Sequence, residues 1–285
     1  MSEPRHLSRH VALGDGVRLH VTTSGTGPPL VLLHGFTGST RSWETLTPFL
    51  DGFTTVAIDL PGHGGSESPS DPARYALRRF ADDLVKVLDA VRVQRAALLG
   101  YSLGGRAALH AALAHPDRVS ALVLESTSPG IDDSAERAAR IQSDTALAGT
   151  IERGGIRAFV DQWERLPLWS SQASLPDAAR ARLRSQRLAN QPRGLSNSLR
   201  GAGAGAAPSV LGQVGALHVP TLLVTGELDP KYTTIARTLE AAIAGARVAV
   251  IADAGHAVHL EQPAAMASEV TGFLTGVAAT SGAWR

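Results

Sequence analysis

Residues 98–106 read Leu98-Leu99-Gly100-Tyr101-Ser102-Leu103-Gly104-Gly105-Arg106, an apolar run that ends in Gly-x-Ser-x-Gly and continues into the helix-forming Ala107-Ala108-Leu109. A serine held in a strand-to-helix turn has its hydroxyl pushed out of the sheet, toward a base and beneath free backbone amides. Gly100 and Gly104 fit because a side chain at either position would collide with neighbouring backbone, and Gly105 lets the following helix press against the sheet. Chance supplies Gly-x-Ser-x-Gly often. Its position between a buried-strand signature and a helix makes it specific.

Working outward, short apolar runs recur between turn signals at Val17 to Thr23, Leu30 to Leu33, Thr54 to Ile58, Ala96 to Leu99, Ala121 to Leu124, Thr221 to Thr225 and Val248 to Ile251. Continuous apolarity of this kind belongs to strands covered on both faces. Helical patterns lie between them, with Leu77, Phe80, Leu84, Val87, Leu88 and Val91 on one stripe, and similar patterns at Leu103 to Ala114 and Ile235 to Ile243. Alternation of this type predicts an α/β fold with a mostly parallel, doubly wound sheet. From about Pro129 to Leu217 the helical patterns continue without a strand, which predicts a helical cap over residues 129–217, inserted after strand 6 of a core formed by 1–128 and 218–285. Within it, Gly201-Ala202-Gly203-Ala204-Gly205 reads as a loop or hinge, or as a flexible linker.

Composition sets the outer bounds. With 44% hydrophobic and 19% charged residues and a formal net charge of +1, the 285-residue chain carries no nucleic-acid footprint. It has no cysteine, so disulfides, thiol nucleophiles and cysteine-bound metal are excluded. No histidine cluster has ligand spacing, and neither a metal nor a cofactor is expected. The amino terminus carries no secretory pattern and no stretch is long and apolar enough to span a bilayer, so a cytoplasmic location without membrane association is expected. All but two of the 27 basic residues are arginine, the exceptions being Lys86 and Lys231.

A serine hydroxyl needs a base to take its proton and an acid to orient that base. His256, in Ala254-Gly255-His256-Ala257, follows the last strand run, and Asp229, in Gly226-Glu227-Leu228-Asp229, follows the one before it. Both belong at the same sheet edge as Ser102, with Glu227 the competing carboxylate. His34, His63 and His259 are read as structural. The glycine-flanked turn His34-Gly35-Phe36-Thr37-Gly38 follows the second strand run, so the backbone amides of Phe36 and Leu103 together form a candidate oxyanion hole. Asp59-Leu60-Pro61-Gly62-His63-Gly64 reads as a structural turn.

Leu30 to Gly38, Asp59 to Ser66, Gly100 to Gly105, Gly226 to Asp229 and Gly255 to Pro263 together resemble the α/β-hydrolase superfamily. That resemblance implies a mostly parallel eight-stranded sheet flanked by helices, and the order Ser102, Asp229, His256 is the one associated with it. Narrower features are Gly100 to Arg106, Leu124 to Ile131, Arg137 to Arg140 with Ser143-Asp144, Phe159 to Trp163, Gln186-Arg187 and Gly226 to Tyr232. These are similar to the SHCHC synthases (2-succinyl-6-hydroxy-2,4-cyclohexadiene-1-carboxylate synthases) of menaquinone biosynthesis. The resemblance implies a lyase that eliminates pyruvate, with serine primed by histidine as the base. It also implies Arg106, Arg140 and Arg187 on the carboxylates of a small polyanionic substrate, with Tyr101 and Trp163 lining the pocket. For the arginines the competing roles are a salt bridge at the helix end for Arg106, an i to i+4 pair with Asp144 for Arg140, and a solvated face for Arg187. The rival functions are a serine hydrolase cleaving an ester or a carbon-carbon bond, and a hydrolase-fold protein that binds a ligand without turnover.

Overall fold

The computed structural model describes residues 7–281. Eight strands form one sheet: β1 (Leu7–Ala12), β2 (Arg18–Ser24), β3 (Pro29–Leu33), β4 (Thr54–Ile58), β5 (Ala96–Tyr101), β6 (Val119–Glu125), β7 (Thr221–Gly226) and β8 (Arg247–Ile251). Their order is β1-β2-β4-β3-β5-β6-β7-β8. Pairings from β4 through β3 to β8 are parallel, while β1 with β2 and β2 with β4 are antiparallel. The eighth strand, β1, is absent from the apolar runs in the sequence. Only Val11 of it is buried, so an edge strand with polar side chains on both faces leaves no hydrophobic signature.

The central strands build two cores at once, because successive side chains point to opposite faces. Val31, Leu33 and Leu98 face α1 (Leu77–Ala90) and α2 (Leu103–Ala114), whereas Leu30, Leu32 and Leu99 face Trp43 and helix α8 (Pro263–Ser281). The α1 stripe is buried at Leu77, Phe80, Leu84, Val87 and Leu88, as its spacing requires. A sixth helix, α6 (Pro230–Ala242), starts five residues earlier than its apolar pattern, because Pro230 supplies a preset first helical φ and Asp229 caps the amide of Tyr232.

Between β6 and β7 lie α3 (Ser134–Trp163), α4 (Asp177–Leu188) and α5 (Pro192–Ala202), with no strand among them. Gly155 sits at φ 73° and breaks α3 into two helices, a conformation that suits glycine. Ala148, Ile151, Phe159, Val160, Leu195 and Leu199 give this helical segment a small core of its own. Its two ends meet where the amide of Val210 donates to the carbonyl of Pro129 at 2.9 Å. The short α7 (Val258–Glu261) completes the helices. The glycine-alanine stretch 201–205 is no free linker: Gly201 and Ala202 close α5, and Gly203 and Gly205 are buried. A β-carbon on Gly203 would stand 2.3 Å from the carbonyl oxygen of Leu199.

Candidate active site

Ser102 follows the end of β5 as the N-cap of α2, at φ 51° and ψ −106°. For a residue with a side chain this backbone is strained, at a cost of about 1–3 kcal/mol, and it persists only where the surroundings over-determine it. They do so here. The Ser102 amide donates to the carbonyl of Glu125 at 2.8 Å, and its own carbonyl accepts from the Thr127 hydroxyl at 2.7 Å and the Arg106 amide at 3.1 Å. A β-carbon on Gly104 would lie 2.0 Å from the carbonyl oxygen of Leu33, and one on Gly100 would lie 2.4 Å from that of Gly104. The glycines therefore let α2 lie directly on the ends of β3 and β5.

The other two members reach the same edge from the turns after β7 and β8. His256 is 2% exposed. Its Nδ1–H donates to Asp229 Oδ2 at 2.7 Å, which leaves Nε2 to accept from the Ser102 hydroxyl at 3.2 Å. The tautomer follows from the carboxylate, which can only accept. The second Asp229 oxygen accepts from the Tyr232 amide at 3.2 Å, so both are engaged. Glu227, the competing acid, accepts from the Asp253 amide instead. The imidazole is walled by the rings of Tyr232 at 4.4 Å, Tyr101 at 5.4 Å and Trp169 at 5.6 Å.

Beneath that wall, His259 donates from Nδ1 to the buried carboxylate of Glu125, which also accepts the His259 amide, and its ring packs 4.6 Å from Tyr101. His34 donates to the carbonyl of Gly35 at 2.7 Å and accepts from the Leu60 amide at 3.0 Å. His63 bonds the carbonyl of Pro61, and burial pushes its pKa down to about 3. None of these three joins the Ser102 chain. Among the described residues neither the Phe36 nor the Leu103 amide has a protein acceptor, and both residues line the same cavity as Ser102.

Ser102 and His256 open into a cavity of about 650 Å³, within the size range of small-molecule sites. Of the residues expected to bind substrate, Tyr101, Arg106, Arg140 and Trp163 line it. Arg106 is half-buried and donates to the carbonyl of Gly203 at 3.0 Å, but among the described residues no carboxylate pairs with it. The helix-end salt bridge is therefore not formed, and burial presses the guanidinium pKa down to about 10. Arg140 does make its i to i+4 pair, Nε to Asp144 Oδ1 at 2.9 Å, which leaves its two terminal nitrogens without a carboxylate partner among the described residues.

Arg187 departs from both expectations. It is not on a solvated face, being 5% exposed, and it is not in the lining of the large cavity. It pairs with Glu164 at 3.0 Å, bonds Gln172 and lies 5.4 Å from the Trp169 ring centre. The sequence reading also passed over Trp169, Tyr232 and Lys231, all of which line the cavity. For Tyr232 and Lys231 the available signal is their position directly after Asp229.

Comparisons with known proteins fit this geometry. A family model described as the alpha/beta hydrolase fold matches residues 28–263. The chain is 42% identical over 270 residues to a Bacillus subtilis protein named "Putative 2-succinyl-6-hydroxy-2,4-cyclohexadiene-1-carboxylate synthase", covering 94% of this chain and 98% of that one. A Salmonella paratyphi C protein of that name without the qualifier is 32% identical, covering 90% and 97%. Among solved structures, MenH from S. aureus superposes with a TM-score of 0.86 at 34% identity, covering 90% of this chain and 98% of the other.

Proposed function

We infer that this chain, which belongs to the α/β hydrolase fold family and within it to the 2-succinyl-6-hydroxy-2,4-cyclohexadiene-1-carboxylate synthases, eliminates pyruvate from 2-succinyl-5-enolpyruvyl-6-hydroxy-3-cyclohexene-1-carboxylate. The names of substrate and product define the electron flow. A 3-ene becomes a 2,4-diene, so the ring loses its proton from carbon 2 and its enolpyruvyl oxygen from carbon 5. Carbon 2 carries the succinyl carbonyl, so deprotonation there puts charge on that carbonyl oxygen. The electron pair then returns through the ring, the carbon 5 to oxygen bond breaks, and the expelled enolate is protonated to pyruvate.

In this reading Ser102 Oγ takes the carbon 2 proton, His256 Nε2 accepts the serine's own proton, and Asp229 holds the imidazole in the tautomer that leaves Nε2 free. The Phe36 and Leu103 amides receive the developing enolate oxygen, a donor of this kind contributing about 3 kcal/mol to the transition state. Arg106 and Arg140 bind substrate carboxylates, and Tyr101 and Trp163 form the walls. Residues 129–217 act as a cap over the carboxyl edge of the sheet and exclude water from the enolate. The observation that carries the reading is the contact of the Ser102 hydroxyl with His256 inside a cavity whose half-buried Arg106 has no acid partner among the described residues. An ester hydrolase needs the serine, whereas a guanidinium without an acid partner suits an anionic substrate. The test is pyruvate release from the enolpyruvyl substrate, followed by coupled NADH oxidation; absence of pyruvate with folded protein defeats the reading.

A further inference from the structure

The substrate named above carries three carboxylates, on the ring, the succinyl chain and the enolpyruvyl group, whereas among the described residues Arg106 and Arg140 are the only arginines lining the cavity. Arg187 has its charge matched by Glu164 outside that lining. Resting on the elimination reading, we propose that Lys231 is a third carboxylate-binding residue of the site and determines its selectivity for a tricarboxylate.

Three observations meet at Lys231. It lines the same cavity as Ser102, Arg106 and Arg140, and the only acid in that lining, Asp144, is already paired with Arg140. Among the described residues no carboxylate forms an ion pair with Lys231; its neighbour Asp229 is taken up by His256 and the Tyr232 amide. Its ammonium lies 6.0 Å from the Tyr232 ring centre, and that ring is 4.4 Å from His256, so the cation stands one ring away from the reacting groups.

Lys231 occupies the first turn of α6, where the helix dipole presents its positive end, and the N-cap acid there, Asp229, is engaged by the Tyr232 amide and His256. Exposure keeps the ammonium hydrated, which suits a residue that meets an entering anion at the cavity wall. An arriving carboxylate finds the ammonium with no competing carboxylate among the described residues. The cations then come from three separate elements, α2, α3 and α6, so a ligand must present carboxylates in three directions to satisfy them all.

The test compares Lys231→Gln, Lys231→Arg and the wild type in two assays. In steady-state elimination, KM for the enolpyruvyl substrate rises about tenfold in Lys231→Gln, as expected for one charge-assisted hydrogen bond. Its kcat stays within about twofold, and Lys231→Arg restores most of KM. The second assay is calorimetric binding of tricarballylate, a simple tricarboxylate, which weakens by a similar factor in Lys231→Gln and shows a shallower dependence on salt. Equal KM values for wild type and Lys231→Gln, or equal tricarballylate affinities, overturn the assignment. If the wild type releases no pyruvate, the elimination reading fails separately, and the tricarballylate comparison still decides whether Lys231 is an anion site.

Discussion

Replacing Arg106 with methionine separates binding of the substrate from stability of the fold. The methionine keeps an unbranched stem in the volume the arginine stem fills and removes the fork. In the structure one guanidinium nitrogen donates to the carbonyl of Gly203, which leaves the rest of the fork free for a carboxylate. Two charge-assisted hydrogen bonds at about 1.5–3 kcal/mol each place the loss in kcat/KM at about 10² to 10⁴. Stability moves far less. Losing the bond to Gly203 leaves a carbonyl short of a donor, worth about 1–3 kcal/mol, but the substitution also removes a half-buried cation whose lowered pKa reflects its desolvation. The two effects oppose each other, so Tm shifts by only a few degrees. The assay is kcat/KM from coupled pyruvate release, beside a thermal melt. A kcat/KM within about threefold of wild type in a protein that melts normally would refute the assignment of Arg106 to a substrate carboxylate.

Two further outcomes follow from the surrounding structure. Burial lowers the pKa of His63 to about 3 and that of His110 to about 4, the nearby Arg106 charge adding to the effect at His110. Because the unfolded chain binds protons near 6.5 and the fold resists them until those lower values, stability falls as pH drops from about 6.5 toward 4. Urea midpoints at pH 7, 5 and 4 should show this, with a shallower slope in His110→Gln; an unchanged slope would contradict it. Gly104→Ala drives a β-carbon into the Leu33 carbonyl oxygen and should destabilise by more than about 3 kcal/mol with loss of activity, whereas Gly212→Ala, with open space around it, should stay close to wild type; similar urea midpoints for the two variants would argue against the packing account.

The central sheet was legible because β3, β5, β6 and β7 are buried on both sides and therefore apolar along most of their length, with Ser120, Glu125, Thr221 and Thr225 as polar exceptions in β6 and β7. Strand β1 was not, since an edge strand pairs through its backbone and Ser8, Arg9 and His10 say nothing about pairing. Ser102, Asp229 and His256 could be named from the sequence because each sits in the turn after a strand, and turns at one sheet edge converge whatever the intervening length. Arg140 and Asp144 were visible as neighbours through helical spacing alone. Arg187 and Lys231 were opaque for the opposite reason. Which cation faces the cavity and which is neutralised by Glu164 depends on how α3 and α4 pack, and that packing is written in no local motif.

The account turns on whether the Ser102 oxygen is the base that opens the elimination. The most direct measurement takes Ser102→Ala through pyruvate release and calorimetric titration with the enolpyruvyl substrate. The account predicts that the variant binds substrate within a few-fold of the product-blocked wild type yet releases pyruvate at least about 10³-fold more slowly, the scale on which removal of a reacting triad member is felt. Turnover within about tenfold of wild type would show that another group removes the carbon 2 proton.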